Sequence, residues 1–286
     1  MKIGLVFTDY KWPGDTKAIK TNVEKIAIGA ETNGFDSLWV VDHYFSMSDS
    51  SEPMLEAYTV LGFMAGVTKK ITLGPLVTGV IYREPAFLVK AATTLDVMSG
   101  GRTYFGIGAA WYEQEAKGLG FTFPSTKERF ERLEEALQII KQMWSGNTKP
   151  FKGIYYKLEE PINSPQPLSK PHPPIMIGGG GEKKTLKFVA KYADACNLFY
   201  APNLSHKLEV LKKHCQDIGR DYDEIEKTIM LSATVASSGD ASAIVKICNE
   251  VATLGIEHII FSVSNIADKK PLEIFGKEII PSAKEF

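Results

Sequence analysis

Pro174-Ile175-Met176-Ile177-Gly178-Gly179-Gly180-Gly181-Glu182-Lys183-Lys184-Thr185-Leu186-Lys187-Phe188-Val189-Ala190-Lys191 reads as a strand, a turn and a helix. Pro174 to Ile177 is a short apolar run, the pattern of a strand buried on both faces. Lys183 to Lys191 carries a helical pattern. The four glycines between them leave the turn without side chains, so the backbone is free to take positive φ and to approach a ligand closely. The first turn of the helix leaves N–H groups without intrahelical acceptors, and these point at negative charge. A plain flexible turn also uses glycine. The strand–glycine–helix order favours a phosphate held by backbone amides rather than by side chains.

The same unit recurs on both sides of this stretch. Short runs rich in Val, Ile and Leu stand at Ile3–Phe7, Ser37–Val41, Ile71–Val77, Thr103–Ile107, Pro174–Ile177, Ala195–Phe199, Ile229–Val235 and His258–Val263. Helical patterns alternate with them: Thr21–Asn33, Met54–Val67, Pro85–Met98, Ser125–Trp144, Lys183–Lys191, Ser205–Ile218, Ala241–Leu254 and Leu272–Ile280. Ser125 and Glu128 have the spacing of a capping box, and Phe130, Leu133, Leu137, Ile140 and Trp144 form an apolar stripe behind it. Eight strands each followed by a helix is the count of a closed (β/α)8 TIM barrel; an open doubly wound sheet needs no such count. One domain over residues 1–286 fits, with the N-terminal strand beside the C-terminal helix. Gly146 to Pro173 breaks the rhythm with six prolines and a short strand pattern at Tyr155–Leu158. It is too long for an ordinary connection. It reads as an insertion before strand five, serving either as a structural flap or as a lid on the ligand site.

The 286 residues are 44% hydrophobic and 23% charged, enough apolar material for a large core. Lys and Arg number 33 against 34 Asp and Glu, which argues against a nucleic-acid partner. The opening Met1-Lys2-Ile3-Gly4-Leu5-Val6-Phe7 is too short for a signal peptide, and no apolar stretch reaches the ~18 residues of a membrane span. Cys196, Cys215 and Cys248 are odd in number and far apart, which suggests buried free thiols in a reducing cytoplasm.

In a barrel, chemistry sits where the strands end. Those ends are Thr8-Asp9-Tyr10, Asp42-His43-Tyr44, Val77-Thr78-Gly79, Gly106-Ile107-Gly108-Ala109-Ala110-Trp111, the glycine run and Phe199-Tyr200. Aromatic and small residues around a single histidine suit a flat conjugated ligand with a phosphate tail. They suit a metal poorly, since His43 has no second histidine at ligand spacing. Histidine is the side chain suited to proton transfer near neutrality, which makes His43 the acid–base candidate. Gly106-Ile107-Gly108 is only part of a dinucleotide fingerprint, because Trp111 and Tyr112 follow where a third glycine belongs. Cys196 stands near a strand start and is no catalytic thiol. Glu52 and Glu56 read as a solvated helix start, and Lys183 or Lys184 as a partner for phosphate.

These motifs together resemble the bacterial luciferase-like family. The resemblance rests on Ile71-Thr72-Leu73-Gly74-Pro75-Leu76-Val77-Thr78-Gly79-Val80-Ile81-Tyr82-Arg83-Glu84-Pro85-Ala86, on Thr94-Leu95-Asp96-Val97-Met98-Ser99-Gly100-Gly101-Arg102, and on Gly106 to Trp111. Asp42-His43, Leu55-Glu56-Ala57 and Ile177-Gly178-Gly179-Gly180 complete it. It runs from Met1 to about Ala195, and its nearest subgroup uses the deazaflavin coenzyme F420. It implies an oxidoreductase that moves a hydride between the deazaflavin C5 and a small organic substrate. An FMN monooxygenase using reduced flavin and O₂, or a non-enzymatic flavin-binding member of the fold, are the alternatives. Asp42 and His43 are then expected near the ring, with a non-proline cis peptide at Leu76-Val77 behind it and Thr78 at its polar edge. Ala109 and Tyr112 line the mouth, and Gly178, Gly179, Gly180 and Gly181 hold the phosphate. His43 is the catalytic residue, with substrate stacked near His43, Trp12 and Trp111. The family likeness also suggests a homodimer.

Overall fold

The computed structural model describes residues 1–286, apart from the side chain of Ser238. The strands are β1 (Lys2–Phe7), β2 (Ser37–Val40), β3 (Thr72–Pro75, resumed at Thr78–Gly79), β4 (Phe105–Gly108), β5 (Ile175–Gly178), β6 (Ala195–Phe199), β7 (Glu226–Ala233) and β8 (His258–Val263). All their pairings are parallel, and β1 lies between β2 and β8. The first half of β3 pairs with β2 (Leu38 opposite Leu73), and its second half pairs with β4 (Thr78 opposite Ile107). One strand thus begins and ends the sheet, and the ring closes. The seam is completed by Leu73 N to Arg102 O and Tyr104 N to Leu73 O, both 2.8 Å. The fold is the TIM barrel expected from eight repeated units.

Two apolar layers result from the alternation of side chains along buried strands. Val6, Trp39, Val41, Leu76, Met176, Ala195 and Ile260 fill the lumen, with Val77 and Met54 packed against them. Ile3, Leu5, Leu38, Leu73, Phe105, Ile177 and Ile259 face outward to the helices. The helix Thr126–Trp144 buries Leu133, Leu137, Ile140 and Trp144. Ser125 Oγ caps it by accepting from Glu128 N at 3.3 Å. The return half of the expected capping box is absent, because the Glu128 carboxylate pairs with Arg132 at 2.8 Å instead. The first helix is Asp15–Thr32, six residues longer at its start than the apolar pattern suggests, with Gly14 at φ 101 as its N-cap.

The insertion forms a small antiparallel hairpin, Phe151–Lys152 with Lys157–Leu158. Its contacts go to the helical layer. Glu135 accepts from Ile154 N, Tyr155 N and Tyr156 N, Asn163 reaches Thr93 Oγ1 at 3.1 Å, and Ser169 binds Asp96. These contacts brace Pro85–Ser99 and Thr126–Trp144, the flap rather than the lid.

The strand N-termini carry a buried polar floor. Trp39 Nε1 donates to Ser37 Oγ at 2.7 Å, Ser37 Oγ meets His258 Nε2 at 2.8 Å, and His258 Nδ1 lies 3.4 Å from Glu226. Tyr104 Oη donates to the same carboxylate, and Lys2 Nζ pairs with it at 3.0 Å. Burial alone raises the Glu226 carboxyl, but its donors and cations outweigh that and bring it down to about 2.

Candidate active site

The loop after β2 presents Asp42 and His43 at the strand C-termini, and the short helix Glu113–Gly118, after β4, sends Glu115 to meet them. Glu115 has no exposed surface. One carboxylate oxygen takes Tyr44 N at 2.5 Å and Phe45 N at 2.8 Å. The other takes His43 Nδ1 at 3.2 Å and the hydroxyl of Tyr82. Burial pushes Glu115 up, but these donors hold it below the usual carboxylate range, so it stays ionised. An ionised carboxylate only accepts. His43 Nδ1 therefore carries a proton, and Nε2 is left for the mouth. The imidazole meets Trp111 and Tyr112 edge-on, with centroids 5.5 and 5.8 Å away, and those two rings stack on each other at 5.1 Å.

Asp42 does not face the mouth. Its carboxylate is buried and held bidentately by Arg83, at 2.6 and 3.0 Å. Burial raises Asp42 against the pull of the guanidinium. Arg83 also pairs with Glu56 and lies over Tyr58 at 4.9 Å. Its own burial opposes the charge, yet Asp42 holds it fully ionised. Glu56 stands at the helix start, as the N-cap of Ala57–Val67, accepting from Tyr58 N and Thr59 N with its side chain still part-exposed. Glu52 pairs with Lys11.

The Leu76-Val77 peptide is cis. Leu76 and Val77 both pack in the lumen. A Cβ on Gly178 would sit 2.8 Å from Val77 Cγ2, and one on Gly108 would sit 3.1 Å from it. The absence of a side chain at those glycines makes room for Val77, which accounts for Gly108 and Gly178 without a dinucleotide. Thr78 faces the other way. It is fully buried, and its hydroxyl meets Tyr58 Oη at 3.0 Å. Ala109 is half-buried against the outer core, and Ala110 takes φ 58 beside it.

Gly179 takes φ 116, and its N–H goes to Asn197 O at 3.0 Å. Among the described residues, the amides of Gly180 and Gly181 make no hydrogen bond. A Cβ on Gly180 would meet nothing closer than Lys207 Cε at 3.8 Å, so this side of the loop is open. The helix Thr185–Tyr192 starts just beyond. Two open amides ahead of a helix start are the donor set a phosphate requires, and the loop fits that group. The cations differ from expectation. Lys184 Nζ lies over the Phe130 ring at 5.3 Å, Lys183 is exposed, and Lys207 pairs with Glu182 at 2.6 Å.

Between β1 and β8 a cavity of about 330 Å³ opens, bordered by Asp9, Trp12, Pro13, Asn265 and Asp268. Lys11, also on its rim, reaches Ser48 at 2.5 Å in the loop that starts with His43. Cys196, Cys215 and Cys248 are buried and unpaired. Burial lifts Cys196 to about 12, far from a reactive thiolate. Among the described residues no helix is long and apolar enough to cross a membrane.

Sequence reasoning placed His43, Leu76, Val77, Tyr112 and the glycine loop at one end of the barrel. It missed Tyr82, Arg83 and Glu115. Arg83 stands inside a quoted motif, directly before the helix that opens with Pro85. Glu115 had no such signal, because a helix of six residues is too short to show a period.

An F420-dependent glucose-6-phosphate dehydrogenase of Kineococcus radiotolerans is 32% identical over 208 residues, covering 71% of this chain and 60% of that protein. An F420-dependent hydroxymycolic acid dehydrogenase of Mycobacterium tuberculosis is 28% identical over 219 residues, covering 76% of this chain and 59% of that protein. The chain thus matches about 60% of the length of these relatives. A solved F420-dependent secondary alcohol dehydrogenase, in complex with an F420-acetone adduct, superposes over 99% of this chain and 98% of its own with a TM-score of 0.83 at 20% identity, and so shares the fold. The family model for luciferase-like monooxygenases matches residues 1–262, and the chain belongs to that family.

Proposed function

We propose that this protein is an F420-dependent oxidoreductase acting on a small organic substrate, with His43 handling the proton. The observation that carries the reading is the His43–Glu115 pair, at the same barrel end as the open amides of Gly180 and Gly181. The F420-dependent relatives at 32% and 28% identity support the choice of cofactor. When bound, the deazaflavin supplies a carbon that takes or gives a hydride. Everything else is the work of this chain. His43 Nε2 takes or returns the substrate proton, and Glu115 fixes the ring through Nδ1–H and balances the charge of the imidazolium. Leu76 and Val77 back the ring from the lumen. Ala109, Tyr112 and Trp111 wall the mouth against water, and the glycine loop binds the phosphate through the open amides of Gly180 and Gly181. Asp42 and Thr78 support this end indirectly, through Arg83 and Tyr58.

An FMN monooxygenase is the second reading, favoured by the family model itself. Titration of the purified protein with F420 and with FMN, followed by fluorescence quenching, separates the two. F420 binding supports the first reading. Tight FMN binding without F420 binding overturns it, and binding of neither overturns both.

We further propose one domain over residues 1–286, supported by the closed ring and by Met1 N donating to Ala283 O at 2.7 Å. A cytoplasmic location is supported by the three buried, unpaired cysteines. A homodimer is supported by the face of Ala57–Val67 and Pro85–Ser99. Phe87 and Met98 are 64% and 71% exposed there, and Gly62 and Gly66 face open space. Light scattering of Phe87→Glu checks this: a monomer supports the face, and an unchanged mass argues against it.

A further inference from the structure

We propose that Lys207 is a further contact for the cofactor phosphate, and that the Glu182 carboxylate competes with the phosphate for it. The ammonium passes from one anion to the other when the cofactor binds. The inference rests on the F420 reading above and adds to it a cation that controls how tightly the glycine loop holds its ligand.

The first observation is the course of the lysine stem. Gly180 has an open amide, and a Cβ built on it would meet Lys207 Cε at 3.8 Å. The ammonium is one bond beyond that carbon. Only 20% of the Lys207 side chain is exposed. A stem already packed has little rotamer freedom left to lose on binding. The neighbouring lysines are placed differently: Lys183 is exposed, and Lys184 Nζ lies over the Phe130 ring at 5.3 Å.

The second observation is that the lysine and the loop are tied together. Lys207 belongs to the helix Leu204–Ile218, which follows β6. His214, on the same helix, donates from Nε2 to Glu182 O at 2.8 Å. Leu186 N donates to Gly181 O at 3.0 Å and fixes the other side of the turn. The helix therefore holds Lys207 at a set place beside the glycines.

The third observation is the carboxylate that the lysine meets. Glu182 directly follows the glycine run, and its Oε1 lies 2.6 Å from Lys207 Nζ and 3.4 Å from His206 Nε2. The Lys207 ammonium holds the Glu182 carboxyl below the usual carboxylate range, so it stays ionised at neutral pH. An anion thus already sits on the cation beside the loop. It is a poor occupant, because the amides of Gly180 and Gly181 remain without an acceptor. With 39% of the Glu182 side chain exposed, its ion pair contributes little and yields readily. A phosphate serves the ammonium and the open amides at once.

The test is a fluorescence titration of the full chain with F420 at several salt concentrations. Lys207→Met should weaken F420 about tenfold and flatten the salt dependence. Lys207→Arg keeps the charge and should stay within about threefold of wild type, which separates lost charge from lost packing. Glu182→Gln should tighten F420 about threefold, because the competitor is gone. In the Lys207→Met background that gain should fall below about twofold, since the carboxylate acts through the amine. F420 affinity unmoved by Lys207→Met, Lys207→Arg as weak as Lys207→Met, weaker binding in Glu182→Gln, or its full gain without the lysine each overturn the exchange while the F420 reading stands. A chain that binds no F420 brings down both.

Discussion

Replacing Glu115 by glutamine changes one oxygen to an NH₂ at the point where four donors converge. The remaining oxygen is best used by Tyr44 N and Phe45 N, which are backbone donors and have no way to turn. The new NH₂ then faces His43 Nδ1 and the Tyr82 hydroxyl. Tyr82 can rotate its O–H and accept. His43 can accept at Nδ1 only by moving its proton to Nε2. Repair of the hydrogen bonds thus takes the lone pair from the mouth. One or two imperfect buried bonds cost about 1–3 kcal/mol of stability, within reach of a domain of ordinary stability. The wrong tautomer should cut turnover by at least ~10²-fold. Urea denaturation reads the first effect, steady-state kinetics with reduced or oxidised F420 the second, and ¹⁵N NMR of the imidazole the tautomer itself. Wild-type turnover with the proton still on Nδ1 refutes the reasoning. Glu115→Ala is the poorer experiment, since it strands all four donors in a dry site.

The remaining predictions are shorter. His43→Ala should lower turnover ~10²-fold or more with F420 affinity within a few-fold; kinetics and fluorescence titration check both halves. Gly178→Ala sets a methyl 2.8 Å from Val77 Cγ2 and should cost about 1–3 kcal/mol of stability by overpacking. Gly180→Ala meets only Lys207 at 3.8 Å and should keep stability within ~0.5 kcal/mol while weakening F420 about tenfold, because the phosphate needs close backbone approach. Gly179 is a worse probe, since its φ of 116 penalises any side chain before a ligand arrives. Glu226 titrates at about 2 folded against 4.5 unfolded. Its folded value is depressed, so its contribution is complete above pH 4.5 and fades as pH falls towards 2, by about 3 kcal/mol in all. Acid denaturation of Glu226→Gln should be flatter than wild type across that window; parallel curves would show that the floor contributes nothing.

The barrel was legible because strands buried on both faces leave short continuous apolar runs, and eight such runs have few other ways to close. Helix starts were less legible. Asp15 to Lys20 is mostly polar and exposed, so no apolar stripe announces it. Within the site, His43 and Tyr112 follow from the rule that strand ends carry chemistry. The network that holds them does not, because its partners are distant in sequence: Asp42 and Arg83 are 41 residues apart, His43 and Glu115 72. Which buried acid meets which donor is decided by the closed fold. The glycine run shows the same limit in miniature. Composition gives no means of telling Gly178, which accommodates Val77, from Gly180, which stays open.

A crystal structure of the protein soaked with F420 addresses the central claim most directly. The account places the tricyclic ring against Val77 and within ~4 Å contact distance of His43, with the phosphate on the amides of Gly180 and Gly181. A ring bound elsewhere, for instance along the Phe87 and Met98 face, with His43 left facing water, would contradict it.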